Sequence, residues 1–219
     1  MTLRLLLALT ATGCLFLSSP LAGDAAVFVP DPERADTVEL RGSTWVAEGP
    51  GYVLRLQQLD NAQRLAYIQH ATGLTTDPFA SRPDQPARYV SFILEIENRG
   101  VEKLHFNSTQ CWLVTNRNKV QSPILMSDLS FQYRQIGRDM PAAYERVQLA
   151  LLDDASIVDP GRSVAGLLVY RRLGPKTKRF RVDARVTSAD GAVGNLVAAY
   201  RKLKDKELAS LAGDAKSTP

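Results

Sequence analysis

From Val90 to Asn98 the chain alternates, with Val90, Phe92, Leu94 and Ile96 on one parity and Ser91, Ile93, Glu95 and Glu97 on the other. Period two is the pattern of a strand with one buried face, and Asn98-Arg99-Gly100 supplies a turn behind it. The pattern returns where Phe180, Val182, Ala184 and Val186 alternate with Arg179, Arg181, Asp183 and Arg185. These segments, with Ser163–Tyr170 and Val193–Tyr200, predict strands over 90–98, 163–170, 179–187 and 193–200, with Phe92, Leu94, Leu168 and Val182 inward. Shorter strands are predicted at Tyr52–Leu56, Leu104–Phe106, Trp112–Thr115 and Val120–Ser122, the last two joined by Asn116-Arg117-Asn118-Lys119, whose asparagines tolerate left-handed backbone. Asp159-Pro160-Gly161 and Ala189-Asp190-Gly191 read as turns.

Two stretches carry helical signals instead. Asp60 is an N-cap for a helix over 60–72 that Gly73 would end, with Ala62, Leu65, Ala66 and Gln69 sharing a face. Ser127 and Pro141 start two more helices within 127–152, with Tyr144, Val147, Leu151 and Leu152 expected to pack inward. Leu74–Ala87 reads as a loop. Residues 26–51, broken by Pro30, Pro32, Gly49, Pro50 and Gly51, read as an irregular lead-in holding short strand candidates at Thr37–Leu40 and Thr44–Val46. The predicted architecture is all-β: one antiparallel sandwich over 52–201, with a helical insertion at 127–152, a helix at 60–72 and a charged flexible tail at 202–219.

The first 25 residues differ from the rest. Arg4 precedes the apolar run Leu5–Leu17, and small residues follow at Gly23 and Ala25, the tripartite pattern of a secretory signal. Ala11-Thr12-Gly13-Cys14 also resembles a bacterial lipobox, so lipid anchoring through Cys14 is the alternative to soluble export. With the signal removed only Cys111 remains, and one cysteine closes no intramolecular disulfide. A net charge of +4 over 219 residues is mild. Together with the missing interleaved aromatics, it argues against nucleic acid.

Candidate chemistry is sparse. His70 and His105 stand without H-E-x-x-H or C-x-x-C, so no metal site is predicted. His105 and Cys111 would have to meet in space to act as a thiol–imidazole pair. Gly161-Arg162-Ser163-Val164-Ala165-Gly166 has Ala165 where a hydrolase elbow needs glycine, and it enters a strand. Asp153, Asp154 and Asp159 lack the alternating spacing of a calcium loop. Cys111–Thr115 with Phe131, Tyr133 and Tyr144 is a candidate pocket lining between insertion and sandwich. The densest feature is basic: Arg171, Arg172, Lys176, Lys178, Arg179 and Arg181 fall within eleven residues without an acid. As a hairpin loop they would form a patch for an anionic surface, or would simply guard a sheet edge.

The order of Phe92–Gly100, then Asp159-Pro160-Gly161 leading into Gly166-Leu167-Leu168-Val169-Tyr170, resembles bacterial extracytoplasmic immunoglobulin-like domains of unknown function. The resemblance covers about 88–200 and rests on strand and turn motifs. It implies an immunoglobulin-like sandwich and brings no catalytic residue. The expectation is therefore a non-enzymatic binding or assembly module of the cell envelope, without a cofactor, whose partner is an envelope protein or an anionic surface. A small hydrolase using Cys111 or a serine is the alternative from another class.

Overall fold

The computed structural model describes residues 27–35, 38–80, 88–135, 137–152, 155–204 and 207. The strand with the cleanest alternation organises one of two antiparallel sheets. That strand, Tyr89–Asn98, buries Phe92, Leu94, Ile96 and Asn98 while Ile93, Glu95 and Glu97 stay partly exposed. Numbered along the chain, the strands are β1 Phe28–Pro30, β2 Glu39–Arg41, β3 Thr44–Gly49, β4 Tyr52–Leu59, β5 Tyr89–Asn98, β6 Leu104–Asn107, β7 Trp112–Thr115, β8 Val120–Gln121, β9 Ala155–Val158, β10 Ser163–Arg171, β11 Arg179–Ser188 and β12 Val193–Lys202. One sheet has the order β10-β5-β4-β3-β2. The other runs β1-β12-β11-β6-β9, with β7 also paired to β11 and β8 to β7.

β11 is the axis of the second sheet. One of its edges pairs along its length with β12. Its other edge is shared, Phe180–Asp183 pairing with β7 and Val186–Ser188 with β6. The two sheets face each other across a core built from Trp45, Leu54, Leu56, Phe92, Leu94, Ile96, Leu168 and Tyr170 on one side. Leu113, Phe180, Val182, Ala184, Val186, Leu196 and Tyr200 supply the other. Phe92 sits at its centre, with ring contacts to Tyr170, Phe180 and Tyr200. The four long strands and their four inward residues stand as the alternation predicts.

The lead-in is not irregular. β1 pairs with β12, and β2 and β3 extend the first sheet, placing Trp45 fully inside the core. Burial of one tryptophan and of Val46 and Ala47 outweighs the glycine and proline punctuation around them. The helices form a third layer on the far face of the first sheet. They comprise α1 Asn61–Thr72, α2 Met126–Gln135 and a 3-10 helix at Ala142–Leu149, where the sequence predicts an α-helix running on to 152. A second core of Ile68, Phe79, Ile124, Leu129, Val147, Leu167 and Val169 joins this layer to β10. Strand β10 is thus buried on both faces, as its unbroken apolar run Leu167–Tyr170 requires.

Asp60 caps α1 with the reciprocal Gln63 contact, and Gly73 ends it at φ 73°. Its buried face differs from the one expected. Arg64 and Ile68 point inward with Tyr67 and Ala71 partly covered, while Ala62, Ala66 and Gln69 are exposed. Arg64 tolerates burial because Asp77 meets it at 2.6 Å, and its guanidinium also donates to the Ser91 hydroxyl and the Phe79 carbonyl. Within the insertion Val147 and Leu152 are buried as expected, and Tyr144 and Leu151 only in part.

Candidate functional site

The sequence suggests a hairpin loop within Arg171–Arg181, but residues 172–178 do not form one. β10 belongs to the first sheet and β11 to the second, so this segment crosses between sheets at one end of the sandwich. Leu173 and Thr177 are buried and turn the crossing inward, with the Thr177 N–H donating to the Gly174 carbonyl at 2.9 Å. The charged residues are left outside: Arg171, Arg172, Lys176, Lys178, Arg179 and Arg181 are all exposed.

Two of the six have acidic partners. The Arg179 Nε lies 3.6 Å from the buried Asp31 carboxylate, and the Arg181 Nε donates to both oxygens of Asp183 at 3.1 and 3.2 Å. Arg171, Arg172, Lys176 and Lys178 have none among the described residues. The patch is also larger than the linear run. Asn116 at the tip of the β7–β8 hairpin donates its N–H to the Arg179 carbonyl, and its side-chain oxygen accepts the N–H groups of Lys178 and Arg179. This brings exposed Arg117 and Lys119 to the same end. Asn118 turns the tip in left-handed backbone at φ 55°, as asparagine permits. The Lys202 N–H donates to the Lys178 carbonyl, adding the end of β12.

Between the end of β10 and residues 119–124 lies a cleft of about 330 Å³ lined by Lys119, Gln121, Ser122, Pro123, Ile124, Asp128, Arg171 and Arg172. Its geometry is fixed by backbone. The Ile124 N–H donates to the Val169 carbonyl at 2.7 Å, and the Arg172 N–H to the Arg88 carbonyl at 2.7 Å. Asp128 accepts the Leu125 N–H at 3.0 Å at the start of α2.

The other candidates separate. Cys111 is fully buried between the sheets, whereas His105 is exposed on the outer face of β6, so the two do not meet. Burial pushes the Cys111 thiol up to about 12. Ser163 is exposed at the start of β10, just past the turn at Gly161. Asp159 is exposed and faces Lys103 at 3.3 Å. Among the described residues no three His, Cys, Asp or Glu side chains converge on a metal position. The expected pocket does not assemble. Trp112–Thr115 lies in the second sheet, Tyr133 and Tyr144 pack in the helical layer beyond the first, and Phe131 is exposed. Cys14, the proposed signal, Asp153, Asp154 and tail residues 208–219 lie outside the described residues. Among the described residues no helix is long and apolar enough to cross a membrane.

One cluster was hidden from the sequence although both its motifs were visible. Asn98 is buried and its amide donates to the Glu102 carbonyl at 2.7 Å and the Val158 carbonyl at 2.8 Å. Its side-chain oxygen accepts the Gly100 N–H, and its backbone carbonyl the Gly161 N–H. The Asn-x-Gly and Pro-Gly turns are therefore one structure, at the end of β5 away from Tyr89 and the basic crossing.

No protein-family model matches the chain, and no curated protein matches it. Among solved structures, the yjhA protein of Bacillus subtilis is similar over 64% of this chain and 76% of its own, at 10% identity and a TM-score of 0.36. A Bordetella pertussis protein named as a candidate ApaA is similar over 72% of this chain and 99% of its own, at 12% identity and a TM-score of 0.33.

Proposed function

We propose that the protein is an exported, non-enzymatic binding or assembly module of the bacterial cell envelope, built on an immunoglobulin-like sandwich, that docks to an anionic surface through its basic end. The observation carrying this reading is the set of exposed cations Arg171, Arg172, Lys176 and Lys178, without acidic partners among the described residues, on the crossing between the two sheets. Lys119 and Arg117 stand beside them. An isolated surface cation contributes little at physiological salt, where the screening length is about 8 Å. Several at one end act together, each worth on the order of 1 kcal/mol close to an anionic membrane. The export part of the reading rests on Met1–Ala25, with anchoring at Cys14 as the variant that the lipobox-like Ala11–Cys14 favours.

The test is co-sedimentation with anionic vesicles at low and high salt. The wild type should bind at low salt and release at high salt. Arg172→Glu, Lys176→Glu and Lys178→Glu combined should weaken binding while leaving thermal stability nearly unchanged. Equal binding by both proteins at low salt reduces the crossing to a solvated connection. The mature mass after export separates soluble from anchored forms. A product beginning between Asp24 and Val27 supports the soluble form, and one beginning at an acylated Cys14 supports the anchor.

A further inference from the structure

The second sheet has a long edge left open. Strand β12 pairs with β11 over Val193–Arg201, whereas β1 covers only Tyr200–Lys202 on its other side. The Lys202 N–H donates to the Lys178 carbonyl beside β11. On the opposite side the Leu203 N–H donates to Val27, and the Ala199 carbonyl accepts the Asp31 N–H. Bonding direction alternates along a strand, so the odd-numbered residues of β12 address the open edge. Before Ala199 these are Val193, Asn195 and Val197, whose N–H and C=O groups have no partner among the described residues.

The other edges are guarded. β2 is three residues long with Glu39 and Arg41 at its ends, and β1 is three residues ending in Pro30. β8 is two residues long, and β9 has its Val158 carbonyl taken by the Asn98 amide. β10 is lined by Ala150–Leu152. Val193–Val197, by contrast, carries no charge and no proline and runs in unbroken register with β11. We propose that this edge is a homodimer interface, in which β12 of one protomer pairs antiparallel with β12 of a second copy about a two-fold axis at Asn195.

The sequence favours a second copy over a foreign strand. Val193-Gly194-Asn195-Leu196-Val197 reads Val-x-Asn-x-Val in both directions. With Asn195 opposite its own copy, Val193 stands opposite Val197 of the second copy, and each facing pair exchanges both N–H···O=C bonds. All three side chains project from the outer face, with Val193 and Asn195 exposed and Val197 half-buried. Pairing sets valine against valine and brings two asparagine amides within reach of each other. Arg185, the β11 neighbour of Asn195, stands three strand spacings from its copy, roughly 14 Å and beyond the screening length of about 8 Å.

Antiparallel pairing also sends the two basic ends in opposite directions. Each lies beside Lys202, about 24 Å along β12 from Asn195, so the two stand roughly 45–50 Å apart. The dimer therefore joins two anionic surfaces instead of gripping one. This consequence rests on the anionic-surface reading; the dimer does not.

The experiment is sedimentation equilibrium of the folded protein over a concentration series, with amide hydrogen exchange read at its dilute and concentrated ends. A monomer–dimer equilibrium is expected. The Val193, Asn195 and Val197 amides should gain protection in the dimer, while Gly194 and Leu196, which face β11, change little. Asn195→Pro removes a donor that faces the open edge, spares the β11 ladder and should leave a monomer. Asn195→Lys and Asn195→Glu, at an exposed site, keep the fold if the proline does not. Each sets like charges opposite one another and should weaken dimerisation about fivefold, and mixing the two should restore it as a heterodimer. A monomer at every concentration up to about 1 mM overturns the proposal. So does a dimer that all three variants form as readily as the wild type, or one that the mixture fails to restore.

A second arm measures turbidity of anionic vesicles. The wild type should cluster them, and Asn195→Pro should bind without clustering. A wild type that dimerises and binds vesicles without clustering them overturns the two-ended geometry. A wild type that dimerises but binds no vesicles leaves the dimer standing and fails the anionic-surface reading alone.

Discussion

Arg64 and Asp77 give the sharpest test of what holds the helical layer to the sheets. Their side chains are 2% and 5% exposed, and Arg64 alone reaches α1, the loop at Asp77–Phe79 and β5 through Ser91. Arg64→Met keeps much of the aliphatic volume and removes the charge. It strands the Asp77 carboxylate with the Phe79 N–H as its remaining donor among the described residues and leaves the Ser91 hydroxyl and Phe79 carbonyl without the guanidinium. Removing one partner of a buried pair costs about 3–5 kcal/mol, because the survivor's charge stays buried. At about 2–4 °C per kcal/mol for a domain of this size, the melting point should fall by roughly 6–20 °C. Arg64→Met with Asp77→Leu removes the stranded charge as well and leaves only neutral groups without these partners, the Phe79 N–H and carbonyl and the Ser91 hydroxyl, each cheaper to strand than a buried charge. The double variant should therefore be more stable than Arg64→Met alone. Urea unfolding of the full double-mutant cycle measures this, read at unchanged slope. Additive losses within about 0.5 kcal/mol, or a double variant as unstable as the sum of the singles, would refute the buried-pair reasoning.

Phe92→Ala, at the meeting point of three aromatic rings, should cost about 3–5 kcal/mol by the same assay, and a loss under about 1 kcal/mol would move the core elsewhere. Asn98→Ala strips partners from the Glu102 and Val158 carbonyls and the Gly100 N–H, so it should cost at least about 2 kcal/mol and raise hydrogen exchange at both turns. Cys111 should resist iodoacetamide at neutral pH until the protein unfolds, since its thiol is fully buried and pushed up to about 12. The unfolded thiol ionises from about pH 8.5, whereas the folded one stays protonated, so the unfolded state binds fewer protons and stability falls as pH rises. Between pH 9 and 10 the loss attributable to Cys111 should be about 1 kcal/mol per pH unit, and Cys111→Ala should flatten it. Above pH 10 the buried phenols of Tyr170 and Tyr200, also raised by burial, continue the decline in both proteins.

Where one face of a strand is buried and the other wet, the sequence states the register, and β5 and β11 were legible for that reason. Three features hid from the pattern. Trp45 lies in a strand bounded by glycine and proline, whose local signals speak for turns while its burial depends on partners more than a hundred residues away on β12. The inward face of α1 carries an arginine, and hydrophobic periodicity does not find a helix face on which one of the two buried residues is charged. The run Gly166–Tyr170 is apolar on both parities because β10 is buried on both faces, and what covers its second face comes from three separate segments. Gly166 marks the closest approach: a Cβ there would lie 2.6 Å from the Leu152 backbone nitrogen. The 150–152 segment pairs along the outer edge of β10, with Leu152 donating to Leu167 and Leu167 to Ala150. That edge is therefore closed to further strands.

The basic end was half legible for a related reason. Six cations in eleven residues are a linear signal, while Arg117 and Lys119 join them only through the β7–β11 pairing and the side chain of Asn116. Apart from the Arg179–Asp31 and Arg181–Asp183 pairs, the contacts that assemble this end are neutral. Asn116 receives the Lys178 and Arg179 N–H groups, Arg172 donates to Arg88 and Lys202 to Lys178, all through backbone or amide atoms. The lysine and arginine head groups are thus carried by a scaffold that does not depend on their charge. Neutralising Arg171, Arg172, Lys176 or Lys178 removes no ion pair among the described residues, and placing them together without acids makes the folded state bear some like-charge repulsion. Their substitution by glutamine should be neutral or slightly stabilising, with the gain largest at low salt, so any loss of binding in those variants reports on the surface itself and not on the fold.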